Sequence, residues 1–202
     1  MYIPAYFKIE DENVMFDVME KYSFATLFSQ HNDQPYATHL PLTIDRENKV
    51  MYGHFARPNK QWQDAQNQLI LTVFQGPHCY ISPSWYETKE AVPTWNYVAV
   101  HVYGKLEIID EPSVIHDSFE KMVVKYEKES SSYCLNEVDD ELIAGMMKGI
   151  VAFKIHISKM EGKAKLSQNH PIERRQRVIE QLEVSLDQEE QRIAQLMKKT
   201  MK

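Results

Sequence analysis

Glycine is scarce in this chain of 202 residues, which contains only six. Neither a G-x-G-x-x-G nor a G-x-x-x-x-G-K-[ST] sequence occurs, and both kinds of phosphate-binding loop depend on such glycines. This excludes nucleotide binding of the Rossmann or P-loop kind. The G-x-S-x-G sequence of serine hydrolases and the H-E-x-x-H sequence of zinc proteases are also missing, and no cysteine and histidine spacing indicates a metal site.

Cysteines, long apolar runs and positive charge are also in short supply. The two cysteines, Cys79 and Cys134, cannot form a disulfide framework and fit a reducing, cytoplasmic setting. No stretch of about 18 consecutive apolar residues occurs, and the first residues lack the pattern of a signal peptide, so we expect no membrane association. A net charge of −6 makes the chain as a whole unsuited to nucleic acid.

One local segment departs from this acidic balance. Between residues 159 and 177 there are six basic and two acidic side chains, a formal charge of six minus two, or +4. A solvated surface is the simpler interpretation, and an anion site for phosphate or a nucleic-acid backbone is the alternative. The candidates for contact with DNA are Lys159, Lys163, Lys165, Arg174, Arg175 and Arg177.

The periodicity of apolar residues predicts six or seven strands, mostly joined by short turns, with helices around them. The strands are "SFATLFSQ", "PYATHLPLTI", "KVMYGHF", "LILTVFQG", "NYVAVHVYGKLEII" and "IVAFKIHIS". Helices are predicted in "DENVMFDVMEKY", "PNKQWQDAQNQ", "EPSVIHDSFEKMVVKYEKE", "DDELIAGMMKG" and from Pro171 onward. The stretch "PHCYISPSWYETKEAVPTW" is predicted to be an ordered loop. The whole pattern favours a small antiparallel barrel with helical additions.

The segment "GHFARPNKQW" brings Arg57, Asn59 and Lys60 together where a strand passes into a predicted helix. A phosphate monoester needs several donors and a positive potential. Arginine supplies a planar fork, lysine a point charge, and a helix N-terminus free N–H groups. This segment is therefore a candidate phosphate site, and a surface turn with solvated cations is the alternative.

Three further segments carry polar or aromatic side chains suited to a planar ligand. Thr38 and His39 interrupt the apolar strand "YATHLPL", which ends at a proline. Trp95 and Asn96 stand at the head of the longest strand and offer an indole face and an amide. The segment "KAKLSQN" adds Lys165, Ser167 and Gln168. Together these segments suit a phosphorylated aromatic cofactor, either flavin mononucleotide (FMN) or pyridoxal phosphate.

The order of several segments resembles that of a known family. The segments "YIPAYF", "ATHLPL", "GHFARPN", "GPHCYISPSWY", "VPTWNYVAVHVYG" and "KLSQN" follow one another as they do in the PaiB family of FMN-binding-type negative transcriptional regulators. The resemblance covers nearly the whole chain. It implies a mainly β (α+β) fold, the FMN-binding split barrel, with a six- to seven-stranded antiparallel Greek-key barrel and peripheral helices. The predicted domains are this barrel over 1–168 and a C-terminal helical extension over 169–202.

The resemblance also implies a function. It implies a cytoplasmic homodimer that binds FMN and represses protease production and sporulation, rather than an enzyme. A flavin-dependent oxidoreductase, similar to pyridoxamine-phosphate oxidases and flavin reductases, is the alternative. The implied cofactor-binding residues are Thr38, His39, Leu40, Phe55, Ala56, Arg57, Asn59, Lys60, Trp95, Asn96, Lys165, Ser167 and Gln168.

Two positions depart from the family pattern. Lys60 stands where proline is frequent, so Arg57 and Asn59 are the main candidates for the phosphate. His170 stands after "KLSQN" where arginine is frequent, and a histidine there weakens a charge contact or makes it pH-dependent.

Overall fold

The computed structural model describes residues 1–66, 68–128 and 130–201. Its strands are β1 (Lys8–Ile9), β2 (Phe24–His31), β3 (Gln34–Pro41), β4 (Thr43–Asp45), β5 (Val50–Ala56), β6 (Leu69–Ile81), β7 (Thr94–Ile109) and β8 (Ile150–Lys165). Its helices are α1 (Glu12–Lys21), α2 (Gln61–Ala65), α3 (Pro112–Tyr126), α4 (Asp140–Lys148), α5 (Ile172–Glu183) and α6 (Gln188–Lys199). The eight strands form an antiparallel sheet, so the predicted six or seven strands fall short of the number observed.

The chain divides into two compact units. The first comprises Met1–Val18, Gln75–His101 and Glu161–Lys202, and the second comprises Met19–Phe74 and Val102–Met160. The strands β6, β7 and β8 each contribute to both units. This division differs from the predicted boundary between residues 168 and 169, because α5 and α6 share the first unit with parts of three long strands.

The second unit contains most of the sheet, ordered β3-β2-β6-β7-β8-β5-β4. The predicted hairpin of β2 and β3 is present, with Phe24 opposite Pro41 and His31 opposite Gln34. Asn32 and Asp33 form its two-residue turn, with φ values of 52° and 57°. These two residue types tolerate the left-handed conformation that such a tight turn requires.

Gly104, for which the sequence predicts a bulge or bend in β7, has a packing role in the second unit. A Cβ atom added there would lie 2.5 Å from the backbone oxygen of His156 in β8. The neighbouring atom is backbone and cannot move away without distorting the strand. The glycine therefore allows β7 and β8 to approach closely.

The first unit is built around an apolar cluster to which α5 and α6 contribute their buried faces. Val178, Ile179 and Leu182 of α5 and Ile193 and Met197 of α6 have no exposed surface. They pack with residues of β6 and β7, including Cys79, Ile81 and Val98. The helical structure predicted from Pro171 onward is thus present, as two helices that complete a core.

One segment predicted to be a loop is partly strand. β6 continues through "PHCYI" to Ile81, and only the residues after it form irregular structure and a short 3-10 turn at Pro83–Trp85. β8 likewise runs to Lys165, well beyond the predicted "IVAFKIHIS". None of the helices within the described ranges has the length and apolar character needed to cross a membrane.

The two cysteines differ in a way that labelling can test. Burial, together with the carboxylates of Glu190, Asp187 and Glu189, raises the pKa of the Cys79 thiol to about 12. Cys134 is exposed. Because the thiolate is the reactive form, we expect a disulfide reagent at pH 8 to modify only Cys134 rapidly in the folded protein, and both after denaturation. Fast reaction of both thiols in the folded protein would contradict the buried position of Cys79.

Candidate functional site

The predicted phosphate segment lies in the second unit, between β5 and α2. Arg57 donates from Nε to the carbonyl oxygen of Lys148 at 2.6 Å and from Nη2 to that of Ile150 at 2.5 Å. Two of its five N–H donors are thus used at the end of α4, and three remain for a ligand. Lys60 is exposed, and its side chain makes no hydrogen bond or ion pair with the described residues. The helix α2 has only five residues, so its dipole adds little to the potential.

A buried glutamine that the sequence reasoning missed organises this segment. Gln61 has no exposed surface, and its Nε2 donates to Ser29 Oγ at 2.8 Å and reaches two backbone oxygens of the β2–β3 hairpin. Its Oε1 accepts a hydrogen bond from the Thr38 hydroxyl. Asn59 donates to the Thr38 oxygen at 2.8 Å and accepts from the Gln61 backbone N–H at 3.0 Å. Thr38 and Asn59 are therefore brought together, and the hairpin is held against the phosphate segment.

The other predicted residues of the second unit divide into exposed and buried groups. The exposed His39 bonds through Nδ1 to Thr26 Oγ1 at 2.9 Å, and its ring stacks on Phe24. Ala56 is exposed, whereas Leu40 and Phe55 are core residues with 4% and 1% exposure. Leu40 and Phe55 can reach a ligand only through their backbones.

The first unit contains a cleft of about 360 Å³. Among its lining residues are three of the predicted cofactor residues, Asn96, Lys165 and Ser167. Trp95 does not line it. That side chain is 53% exposed, with its ring 6.2 Å from that of His78 and 6.1 Å from that of Tyr80. The predicted site residues therefore form two groups, one in each unit.

The amides predicted to recognise a flavin edge are satisfied inside the first unit. Asn96 has no exposed surface, and its Nδ2 donates to Ser167 Oγ at 3.0 Å. Gln168 accepts from the Leu166 N–H at 2.7 Å and donates to the Ala164 oxygen at 2.6 Å. Ser167 is buried with a φ of 64°, unusual for a residue with a side chain, and these bonds hold the strained turn after β8. A direct role of these amides in cofactor binding stays a prediction.

The charged residues of the cleft lie close to an aromatic ring. Arg174 donates to the Glu87 carboxylate from Nε and Nη2, and its guanidinium lies 4.8 Å from the centre of the Tyr86 ring. The side-chain hydrogen bonds from Arg174 lower the pKa of Glu87 to about 2. Burial, and then the charge of Arg174, lower the pKa of His170. His170 is therefore neutral at pH 7 and can accept a hydrogen bond from Arg174.

The six basic residues predicted as DNA contacts are engaged within the protein. Lys163 and Arg175 are each 7% exposed and bond to the backbone oxygens of Tyr2 and Thr200. The remaining four have these partners: Arg174 pairs with Glu87, Arg177 with Glu173, Lys165 with Thr94, and Lys159 lies over the Tyr103 ring. Lys159 and Arg177 remain exposed, and contact with DNA stays a prediction.

Comparison with known proteins identifies relatives of the chain. A family model described as "Putative FMN-binding domain" matches residues 1–159. The "Protease synthase and sporulation protein PAI 2" of Bacillus subtilis (strain 168) is 38% identical over 206 residues, and the alignment covers 100% of this chain and 99% of that protein.

Solved structures share the fold at low sequence identity. The flavocytochrome Anf3 from Azotobacter vinelandii is 13% identical with a TM-score of 0.65, over 81% of this chain and 72% of that one. A "putative 5-nitroimidazole antibiotic resistance protein" from Bacteroides thetaiotaomicron is 15% identical with a TM-score of 0.59, over 77% and 85% of the two chains. These similarities and the eight-stranded antiparallel sheet confirm the predicted split-barrel fold class.

The family match bears both on the predicted family and on the predicted cofactor. The description of the matching model agrees with the FMN predicted from the sequence. The full-length similarity to the Bacillus subtilis protein agrees with the order of segments from "YIPAYF" to "KLSQN". The chain therefore belongs to the PaiB family and contains the domain described as "Putative FMN-binding domain".

Proposed function

We propose that this protein is an FMN-binding homodimer that acts in the cytoplasm as a negative regulator of protease production and sporulation. The name of its 38% identical relative in Bacillus subtilis supports the regulatory part. The family match supports the cofactor. Direct contact with DNA is not part of the proposal, because the basic residues considered for it are engaged within the protein.

One observation carries the cofactor site: an edge strand contacts, through Thr38, a segment that has unused cationic donors. β3 is the last strand in its sheet order, so its outer backbone groups have no partner strand among the described residues. Hydrogen bonds of Thr38 with Gln61 and Asn59 hold this strand against the phosphate segment. A flavin ring needs donors and acceptors along one edge, and its phosphate needs positive charge. The β3 backbone would hold the ring, and Arg57, Asn59 and Lys60 the phosphate. Bound FMN would supply redox chemistry.

Titration with FMN tests the cofactor directly. Flavin fluorescence is expected to be quenched as protein is added to micromolar FMN, with saturation. A lack of quenching in the folded protein would contradict FMN binding. Adding NADH or NADPH to the loaded protein separates the alternatives, since bleaching with repeated turnover would contradict the regulatory assignment and favour an oxidoreductase.

Complementation tests the regulatory role. A Bacillus subtilis strain that lacks the 38% identical relative is expected to secrete more protease than its parent. Expression of this chain should lower the secreted protease activity again, and the Arg57→Ala variant should lower it less. Unchanged secretion on expression of the folded chain would contradict the role.

An exposed apolar sheet face supports the homodimer. Phe24 and Phe28 of β2 and Leu69 of β6 lie in the second unit with 69%, 38% and 67% of their surface exposed. Exposed apolar patches of this kind mark protein contacts. We expect sedimentation to give a dimer for the native protein and a monomer for Phe24→Glu. The matched control Leu186→Glu, at an isolated side chain with 98% exposure, should stay a dimer. A monomeric native protein would contradict the proposal.

A further inference from the structure

The cleft of the first unit has the chemistry of an anion site. Two cationic side chains, Lys165 and Arg174, and one carboxylate, that of Glu90, line it. Its volume of about 360 Å³ is near the lower end of the range for small-molecule pockets. Lys165 donates to Thr94 Oγ1 and to the Trp95 oxygen at 2.8 Å, which leaves its third N–H free for a ligand. No carboxylate of the described residues pairs with it.

The charge of Lys165 is poorly compensated in its surroundings. Burial, and next the positive charge of Lys163, lower the pKa of the Lys165 ammonium. Lys163 itself is buried against the Tyr2 and Tyr97 rings and has a carbonyl oxygen as its hydrogen-bond acceptor. Two neighbouring cations, Lys163 buried and Lys165 half-buried, with no carboxylate of the described residues paired to either, favour the binding of an anion beside them.

The start of α5 adds to this potential. The helix begins at Ile172 after Pro171, which provides no side-chain cap, so the N–H groups of its first turn are unsatisfied by the helix. Asn169 and His170, just before the helix, and Arg174 in its first turn line the cleft. The positive end of a 12-residue helix therefore lies at the cleft.

The wall of the cleft also has an aromatic part. Tyr86 lines the cleft, but its hydroxyl is buried from solvent and does not face the open space. Ala91, Val92 and Pro93 form an apolar part of the same lining.

We propose that this cleft binds a small organic oxyanion, a carboxylate or phosphate with a compact apolar body, and not FMN. Asn96 and Gln168, the amides predicted to recognise flavin here, are already hydrogen-bonded within the protein. Lys165 binds the oxyanion through its free N–H. Lys165 then belongs to a second ligand rather than to the cofactor.

Calorimetry on the full chain after FMN loading tests the proposal, with benzoate and inorganic phosphate as probes. We expect saturable binding of at least one probe, which also shows whether carboxylate or phosphate is preferred. Lys165→Met should weaken that binding at least about tenfold, since it removes a charge-assisted hydrogen bond. The matched control Arg177→Met, on the exposed face of α5, should leave it within about twofold.

Two results would overturn the assignment. If neither probe shows saturable binding, the cleft is not an anion site. If Lys165→Met weakens FMN binding, Lys165 is a cofactor residue. Lys165→Gln keeps an N–H donor for the Thr94 and Trp95 oxygens and should fold even if Lys165→Met does not. That variant should weaken the probe about threefold or more, because it loses the positive charge, and unchanged affinity would contradict the role of the lysine. FMN titration of the same variants keeps a failure of this site distinct from a failure of the cofactor site.

Discussion

Replacing Ile179 with alanine is expected to lower the free energy of unfolding by about 2–5 kcal/mol. Ile179 has no exposed surface and lies at the centre of the cluster that α5 and α6 form with β6 and β7. Alanine would remove buried carbon atoms and leave a cavity that the close-packed surroundings cannot fill. The loss would be a large fraction of the stability of an ordinary domain.

Urea unfolding followed by circular dichroism measures this change. Leu186→Ala is the control, because that side chain is 98% exposed and its loss should change stability by less than about 0.5 kcal/mol. Equal stabilities of the two variants would show that the C-terminal helices are an appendage, as the boundary predicted after residue 168 supposed. A large difference would show that they complete the core of the first unit.

Replacing Arg57 with alanine is expected to weaken FMN binding about ten- to hundredfold, or about 1.4–2.8 kcal/mol. Three N–H donors of Arg57 remain after its bonds to the oxygens of Lys148 and Ile150. A phosphate would accept hydrogen bonds from them and pair with the guanidinium charge. Lys60→Ala should cost less, because a flexible ammonium makes no paired bonds. Fluorescence titration compares the variants, with Arg192→Ala, a surface arginine of α6, as the control.

The same substitution also removes two hydrogen bonds at the end of α4, so affinity and stability have to be separated. Arg57→Lys keeps the positive charge but loses the planar guanidinium group. Its affinity for FMN should lie between those of the native protein and Arg57→Ala. Thermal unfolding of each variant identifies any loss of folded protein. If the Arg57→Ala variant is folded and binds FMN with native affinity, the phosphate is bound by another part of the chain.

The β2–β3 hairpin could be predicted because local chemistry determines it. Alternating apolar residues set its strands, and Asn32 and Asp33 suit the turn. The continuation of β6 through Pro77 could not be predicted, because proline lacks a backbone N–H donor and usually ends a strand. The apolar side chains that hold this part of the strand come from α5 and α6, about a hundred residues later.

In the candidate site, too, contacts between distant parts of the sequence could not be predicted. Arg57, Asn59 and Thr38 are predicted from their types and positions, and their contact with a cofactor stays a prediction. The structure brings Asn59 and Thr38 into hydrogen-bond contact. Gln61 could not be predicted, since its importance rests on bonds to residues of a separate hairpin. Its only signal is an amide four residues before the buried Ala65, on one face of a short helix.

The absorbance spectrum of the purified protein, taken before and after incubation with FMN and removal of the excess, tests the central claim most directly. Mass spectrometry of the small molecules released on denaturation identifies what was bound. We expect flavin bands that stay with the protein, and FMN in equimolar amount in the released fraction. A folded protein that retains no flavin after incubation, or that releases a different cofactor such as pyridoxal phosphate, would contradict the account.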